Sequence, residues 1–410
     1  MTMSPTLQEV DRGDLCAGCG ACASIAPGKI RMTNSPDGFL RPQQTSALDR
    51  EQEDALSKVC PGIRVIQDPA GRKDHVLWGP YISIKTGYAT DPRTRKNGSS
   101  GGVVTAVAQF LQDSGKVDRV LQVAASTPAP ALNESRFSSS SEEILNSAGS
   151  RYAPSAPLEE IHAALELSGK TAVIGKPCDI AGLRAMAKLD PRIDEKIPFM
   201  LSFFCAGVPS AHGVRALIEK MGVDPKDLVQ FRYRGDGWPG VAKAVTSDGK
   251  VSTLSYAESW GDVLSKHVQF RCKVCPDGTG GHADLVCADA WECDEKGYPV
   301  FEEQDGISLI VTRTEKGSKL FEAASEAGVI ESFDQDVAEI AAMQPGQYNR
   351  RRLLGSRMLA LKVARRPFPR FENMNIRKAS QFASFPEKAR SFGGTLRRLR
   401  RLKGARRSRA

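Results

Sequence analysis

The sequence predicts an α/β fold from the pattern of its middle, which two segments of different composition flank. Short apolar runs of strand length alternate with segments of helical period through the middle of the chain. A cysteine-rich start precedes them, and a strongly basic stretch follows. The chain accordingly divides into residues 1–75, 76–160, 161–345 and 346–410.

The strand runs are 120–124, 171–174, 198–204 and 307–311, each apolar and rich in β-formers. Helical spacing marks 103–111, 158–167 and 213–221. Strands alternating with helices argue for a largely parallel sheet, whose sites assemble in loops beyond the strand C-termini. Two cysteines fall in such loops, Cys178 in VIGKPCDIAGL and Cys205 in LSFFCAGVPS. The run 135–143, SRFSSSSEE, reads as a low-complexity surface loop.

Composition narrows the class. Apolar residues make up 40% of the 410 and charged residues 26%, ordinary for a globular chain of two or three domains. No stretch approaches the roughly 18 consecutive apolar residues of a membrane span, and the N-terminus lacks the apolar core of a secretory signal. A cytoplasmic location is therefore expected, and there ten cysteines point to metal ligation rather than disulfides. The net charge of +9 belongs to the end of the chain: residues 388–410 hold ten Lys or Arg and no acid, leaving the rest near −1. Leu396, Leu399 and Leu402 form an apolar stripe on this basic segment. It reads first as a disordered, solvated tail. Contact with an anionic membrane surface or non-specific RNA binding are alternatives, and specific nucleic-acid binding is not expected. Removing the tail is expected to leave cofactor content unchanged.

The first cysteines read Cys16-Ala-Gly-Cys19-Gly-Ala-Cys22, followed by Ala26-Pro27. Bacterial ferredoxins use C-x2-C-x2-C-x3-C-P, in which three thiolates bind one cluster and the fourth binds the other. Here Ala26 stands at the fourth position, and Cys60-Pro61 supplies the missing ligand. One [4Fe–4S] cluster is thus expected on Cys16, Cys19, Cys22 and Cys60, in a ferredoxin-like segment spanning residues 1–75. Gly18, Gly20 and Ala21 let the backbone fold closely over it, with amides aimed at the sulfurs. A zinc site would ordinarily pair two C-x2-C units instead.

Cys178, Cys205, Cys272 and Cys275 form a looser set. Cys272 and Cys275 make a second C-x2-C, compatible with zinc, a redox pair or a cluster, while lone buried cysteines are usually small hydrophobes. Cys287 and Cys293 read as core or surface thiols, with substitution into the set as the alternative. Gly98-Ser99-Ser100-Gly101-Gly102 precedes a helical segment, an arrangement suited to a phosphate and equally to an ordinary helix cap.

The matches 16–27, 80–91, 98–105, 149–152, 175–183 and 204–209 run in order along the chain. They continue through 231–240, 271–277, 283–291 and 306–309. Through them the chain resembles the beta subunits of coenzyme F420 hydrogenases and dehydrogenases, whose relatives include chlorophyll and chlorophyllide reductases. The resemblance implies FAD held around Gly98, Ser99, Ser100, Gly101, Gly102 and Thr105 and facing loops with Tyr152 and Lys176. It also implies a second [4Fe–4S] cluster on Cys178, Cys205, Cys272 and Cys275, hence an α/β flavin- and cluster-binding core. The boundaries become an FAD-binding part at 76–160, a part with the second cluster at 161–345 and the basic tail.

Arg232, Arg234 and Trp238 are candidates for the flavin phosphate or an anionic substrate, a structured turn being the alternative. His282, Asp284 and Asp289 are candidate proton donors, structural capping being theirs. The expected function is an oxidoreductase: electrons from reduced ferredoxin or coenzyme F420 enter a cluster, pass to FAD and reduce a CH or CH2 group of a small molecule. The rival is an accessory electron-transfer subunit of a larger complex or of a polysaccharide-biosynthesis pathway. A homo-oligomer is compatible with the first.

Overall fold

The computed structural model describes residues 3–292 and 302–407. Cys293 therefore lies outside the described residues.

The N-terminal region is a set of capped helices around an antiparallel pair. Ser4 accepts the Leu7 N–H at 3.2 Å and Pro5 opens the first turn, starting helix α1 (Pro5–Gly13). Helix α2 (Ala21–Ile25) follows the three close cysteines. After the pair Ile30–Asn34 with Leu40–Gln44, Asp49 and Gln52 form a capping box at the start of α3 (Arg50–Val59). Cys60 is the C-cap of α3, which fixes where its thiol stands.

Among the described residues the central sheet has eight strands. In chain order they are β1 (Ser83–Ala89), β2 (Arg119–Ala125), β3 (Asn133–Ser138), β4 (Thr171–Gly175), β5 (Phe199–Phe203), β6 (Leu285–Asp289), β7 (Ser308–Thr312) and β8 (Ile330–Asp334). Their order is β8-β1-β7-β6-β5-β4-β2-β3. Only β2, β4, β5 and β6 run parallel. β7, β1 and β8 add antiparallel on one side and β3 on the other. The expected parallel sheet is thus confined to the middle. β7 departs from it by pairing antiparallel with β6, Leu285 opposite Thr312 and Asp289 opposite Ser308.

Both faces of the sheet are covered, and neighbouring residues show it. Val120, Ala172, Leu201, Leu285 and Cys287 point into one core, while Leu121, Val173, Met200 and Val286 point into another. Helices α4 (Val103–Asp113) and α7 (Glu315–Glu326) supply the first core. Helix α5 (Pro177–Ala187) supplies the second, together with Cys19 and Ala21 of the N-terminal region. Helix α6 (Ala211–Lys220) packs instead with a three-stranded antiparallel sheet, Leu228–Arg232, Ala242–Thr246 and Val251–Leu254.

β1 pairs with both β7 and β8, so the parts 76–160 and 161–345 share one sheet. Two readings from sequence are revised. The SRFSSSSEE run is not a loop: it pairs along β2 as β3 and then forms the helix Ser141–Asn146, capped by Ser140. The end of the chain is not a solvated tail. Helix α8 (Pro345–Val363) lies over the core, and α9 (Phe385–Arg407) packs along it. Arg352 of α8 grips Glu387 of α9 through two hydrogen bonds of 2.6 and 2.8 Å. Leu399 is buried in a cluster with Val10, Leu15, Phe270, Val274, Leu354 and Leu361, and Leu396 and Leu402 pack beside it. The leucine stripe therefore faces protein, which removes the apolar face a membrane-surface helix needs. No helix among the described residues is long and apolar enough to cross a membrane.

Candidate functional site

Cys16, Cys19, Cys22 and Cys60 all line one small, almost wholly apolar hollow, with Leu7, Met32, Leu56 and Val59 among its walls. The local chain explains the convergence. Gly20 takes φ +90°, and a side chain there would stand 2.6 Å from the Glu159 nitrogen. It is this contact with the neighbouring backbone that requires the glycine. Leu158 N–H closes the same approach by donating to the Cys19 carbonyl at 2.9 Å. Backbone N–H groups of Gly18, Ala21, Ala23 and Gly62 are aimed at the sulfurs of Cys16, Cys19, Cys22 and Cys60 respectively. Burial, then the repulsion of neighbouring anions, pushes the Cys19 and Cys22 thiols well up. Burial and then Cys16 push Cys60 up to about 11.

Cys178, Cys205, Cys272 and Cys275 also come together, from the start of α5, the loop after β5 and the helical turn Phe270–Lys273. Burial raises Cys178, Cys205 and Cys275, and each also feels at least one other thiol of the set. Cys205 is held up at about 12. Cys287 is raised by burial alone and belongs to the core of the sheet. Among the described residues no three His, Cys, Asp or Glu side chains are gathered tightly enough to hold a single metal ion.

Two buried side chains join the sets. The Gln269 amide donates to the Ala17 carbonyl at 3.1 Å and to the Cys272 sulfur at 3.4 Å. Arg271 donates to the Pro61 carbonyl at 2.7 Å, and its charge draws down both Cys60 and Cys275. Its Nε is buried without a partner. Asp179 acts on Cys19 as well as on its neighbour Cys178.

Cys205 also forms part of the wall of a cavity of about 290 Å³. Of the residues expected to hold a cofactor, Gly98, Ser99, Ser100, Gly102, Thr105, Tyr152, Lys176 and Arg234 line it. The first turn of helix α4 lines it, and Gly102 gives that turn no side-chain cap for its N–H groups. Gly102 takes φ +75°, and a side chain there would stand 2.6 Å from the Thr94 carbonyl. The hydroxyl of Ser100 is turned into the protein, donating to the Ile307 carbonyl at 2.8 Å. Two cations of the wall are already matched by carboxylates, whereas Arg151 donates to the Asn133 amide oxygen at 2.9 Å and to backbone carbonyls. Lys176 pairs with Asp179 at 2.9 Å and donates to the Ser155 hydroxyl at 2.8 Å. Arg234 donates to both oxygens of Asp289 at 2.6 and 2.9 Å.

Gly101, Arg232 and Trp238 stand outside the cavity. A side chain at Gly101 would meet the Gly87 carbonyl at 2.6 Å, so this glycine seats the turn on β1. Arg232 donates to the Asn97 carbonyl. Trp238 stacks on Trp291 at 4.7 Å and donates to Asp289 at 2.9 Å. Of the proton-donor candidates, only Asp289 reaches the cavity, with its oxygens taken up by Arg234 and Trp238. His282 is tied to Asp277 and to the Ile66 carbonyl at 2.9 Å. Asp284 is buried and accepts from Arg184 at 2.6 Å, Thr314 at 2.7 Å and the Met200 N–H at 2.8 Å. Neither lines the cavity. Burial opposes charge on Asp277, but the His282 hydrogen bond and the charges of His282, Arg313 and Arg351 hold it below the usual carboxylate range.

Tyr256, Trp291, Gln344 and Gln347 complete the wall, and sequence reasoning missed them as site residues. Gln347 donates to the Cys205 carbonyl at 2.9 Å and Gln344 to the Asp289 carbonyl at 2.7 Å. Only the folding of α8 back over the sheet brings them there.

Known proteins share this arrangement of chain. Residues 84–162 match the family of coenzyme F420 hydrogenase/dehydrogenase beta subunits in its N-terminal part, and residues 168–337 match it in its C-terminal part. The core thiol set lies inside the second match, and the N-terminal set lies outside both. The chain is 22% identical over 325 residues to one of the subunits of the F(420)H(2) dehydrogenase of Methanosarcina mazei, covering 78% of this chain and 85% of that one. It is 26% identical over 330 residues to the coenzyme F420-dependent sulfite reductase of Methanocaldococcus jannaschii, covering 77% of this chain. There it spans about half of the relative, 46%. Its fold is similar, with a TM-score of 0.56 at 20% identity, to a chain of the F420-reducing [NiFe] hydrogenase complex from Methanosarcina barkeri, covering 73% of this chain and 98% of that one.

Proposed function

The chain belongs to the family of coenzyme F420 hydrogenase/dehydrogenase beta subunits, and from that premise we propose that it is an electron-transfer oxidoreductase subunit holding two [4Fe–4S] clusters and FAD. The observation that carries the reading is the position of Cys205, which is at once a member of the core thiol set and a wall of the cavity.

The residues present fit such groups. Each N-terminal thiol has a backbone N–H aimed at its sulfur, an arrangement that favours the thiolate and tunes an iron–sulfur centre. The unpartnered Nε of Arg271, between the two sets, suits a site of net negative charge. In the cavity, the uncapped start of α4 suits the pyrophosphate of FAD, and Tyr152, Tyr256 and Trp291 offer rings to a planar cofactor. When bound, the clusters would supply one-electron steps and the flavin the conversion to two-electron chemistry.

The chain's own part is to bind, align and insulate. Arg234, Asp289 and Trp238 lock the cavity wall in one geometry. Gln344 and Gln347 clamp α8 over the opening beside Cys205. Gln269 and Arg271 hold the two thiol sets in fixed register. Reduced ferredoxin or coenzyme F420 is the proposed electron partner and a CH or CH2 group of a small molecule the proposed acceptor, within a larger complex or a homo-oligomer.

The test is anaerobic mixing of the full chain with reduced ferredoxin or reduced coenzyme F420, followed by optical spectra. Bleaching of a flavin band supports the reading. A protein with no flavin or iron–sulfur absorption refutes it.

A further inference from the structure

Lys273, Arg350, Arg357 and Arg398 gather beside the core thiol set. Lys273 sits between Cys272 and Cys275 in the chain. Arg350 donates to the carbonyls of Cys205 at 2.9 Å and Ala206 at 2.5 Å. Arg357 donates to the Lys273 carbonyl at 2.7 Å and to the Ser391 hydroxyl at 3.3 Å. Arg398 is exposed on α9, which buried Thr395 and Leu399 pin in place.

None of the four has a carboxylate within ion-pair distance among the described residues, and each of the three arginines bears on Lys273. The contrast with their neighbours is direct. Arg352 on α8 pairs with Glu387 at 2.6 Å, and Arg366 just beyond α8 pairs with Asp14 at 2.9 Å. Clustered like charges destabilise a folded surface. Here the leucine stripe of α9 holds them together against that repulsion, in the apolar cluster on which Cys16 and Cys60 also pack. The basic ridge therefore borders the core thiol set, with the N-terminal set packed on the same cluster.

We propose that Lys273, Arg350, Arg357 and Arg398 form the docking surface for an acidic electron-carrier protein of the ferredoxin type. The inference rests on the electron-transfer reading above and names its partner's landing site. Charge complementarity of this kind steers encounter and fixes orientation, and a carrier seated here would stand over the core thiols with the N-terminal set beside it. A membrane is a poorer occupant because the apolar face of α9 is covered. RNA would find the charge but gains nothing from the thiols.

The test uses the full holoprotein and an acidic bacterial ferredoxin as probe, with the dissociation constant measured across rising NaCl. Wild-type affinity is expected to fall with salt, and the double variant Arg357→Glu/Arg398→Glu to bind about tenfold or more weakly, chiefly through slower association. Iron and flavin content and dithionite-driven flavin reduction should be unchanged in Arg398→Gln. Arg398→Gln, at an exposed position, gives the same direction should the double variant not fold. Equal affinity for wild type and variants, or salt-independent binding, overturns the proposal. So does charge reversal that abolishes binding to phosphatidylglycerol vesicles or an RNA oligomer while sparing the ferredoxin. Variants that keep iron and flavin but bind normally sink the docking site alone. Wild type lacking both cofactors sinks the electron-transfer reading with it.

Discussion

Leu399→Ala is the substitution that best separates the docked end of the chain from a solvated tail. Leu399 is only 5% exposed, among Val10, Leu15, Phe270, Val274, Leu354 and Leu361. Truncating a buried leucine costs about 2–5 kcal/mol, more where the site cannot collapse. Here partly buried Leu396 and Leu402 flank the gap and can close over it. The lower half of the range, about 2–3 kcal/mol, is therefore expected. Cys16 and Cys60 pack on the same cluster, so the loss should be felt first at the N-terminal thiols. Urea denaturation with iron and flavin analysis reads both effects: a lower midpoint, less iron, and flavin retained. Deleting residues 388–407 should do the same more strongly, whereas a solvated tail leaves iron unchanged. A variant within about 0.5 kcal/mol of wild type, the range of ordinary surface changes, together with a truncated chain of full iron content, would refute the packing argument.

Arg271→Met removes the cation shared by the two thiol sets, and both cluster midpoints should move to more negative potential in an EPR-monitored titration. Arg271→Lys should recover part of the shift. Gly102→Ala forces a side chain into left-handed backbone at φ +75° against the Thr94 carbonyl. It should cost about 1–3 kcal/mol and lower flavin per chain in thermal unfolding and absorbance measurements. Glu387 is held at about 2 by its hydrogen bond with Arg352, then by Ser384. A depressed carboxylate stabilises above its unfolded value and loses that contribution as pH falls through the folded one. The attachment of α9 should therefore weaken between pH 4.5 and about 2. Limited acid proteolysis checks this, and Glu387→Gln should flatten the dependence.

What the sequence made legible followed local rules. The spacing of Cys16, Cys19 and Cys22 is a property of seven consecutive residues, and the glycine turn before α4 announces itself by composition. The strand-helix alternation likewise gave the middle of the sheet. Long-range pairing was not legible. Nothing local to β7 says that it meets β1 and β6 antiparallel, because that depends on where the chain re-enters the sheet. SRFSSSSEE misled because serine content suggested a loop, while β2 supplied a partner edge and Ser140 a helix cap. The terminal segment misled for the opposite reason: its ten basic residues outweighed three leucines whose spacing was visible but whose partners lie at Val10, Leu15 and Leu354. His282 and Asp284 looked like proton donors because carboxylates and imidazoles near a cysteine pair suggest chemistry. Hydrogen bonds to Asp277, Arg184 and Thr314 hold both side chains outside the cavity wall.

The most direct test is the iron, sulfide, zinc and flavin content of anaerobically purified full-length protein, set beside variants with each thiol set changed to serine. Two four-iron clusters and one flavin per chain are expected, with each serine set removing one cluster. Stoichiometric zinc in place of iron, or a Cys178/Cys205/Cys272/Cys275 variant that keeps all its iron, would contradict it.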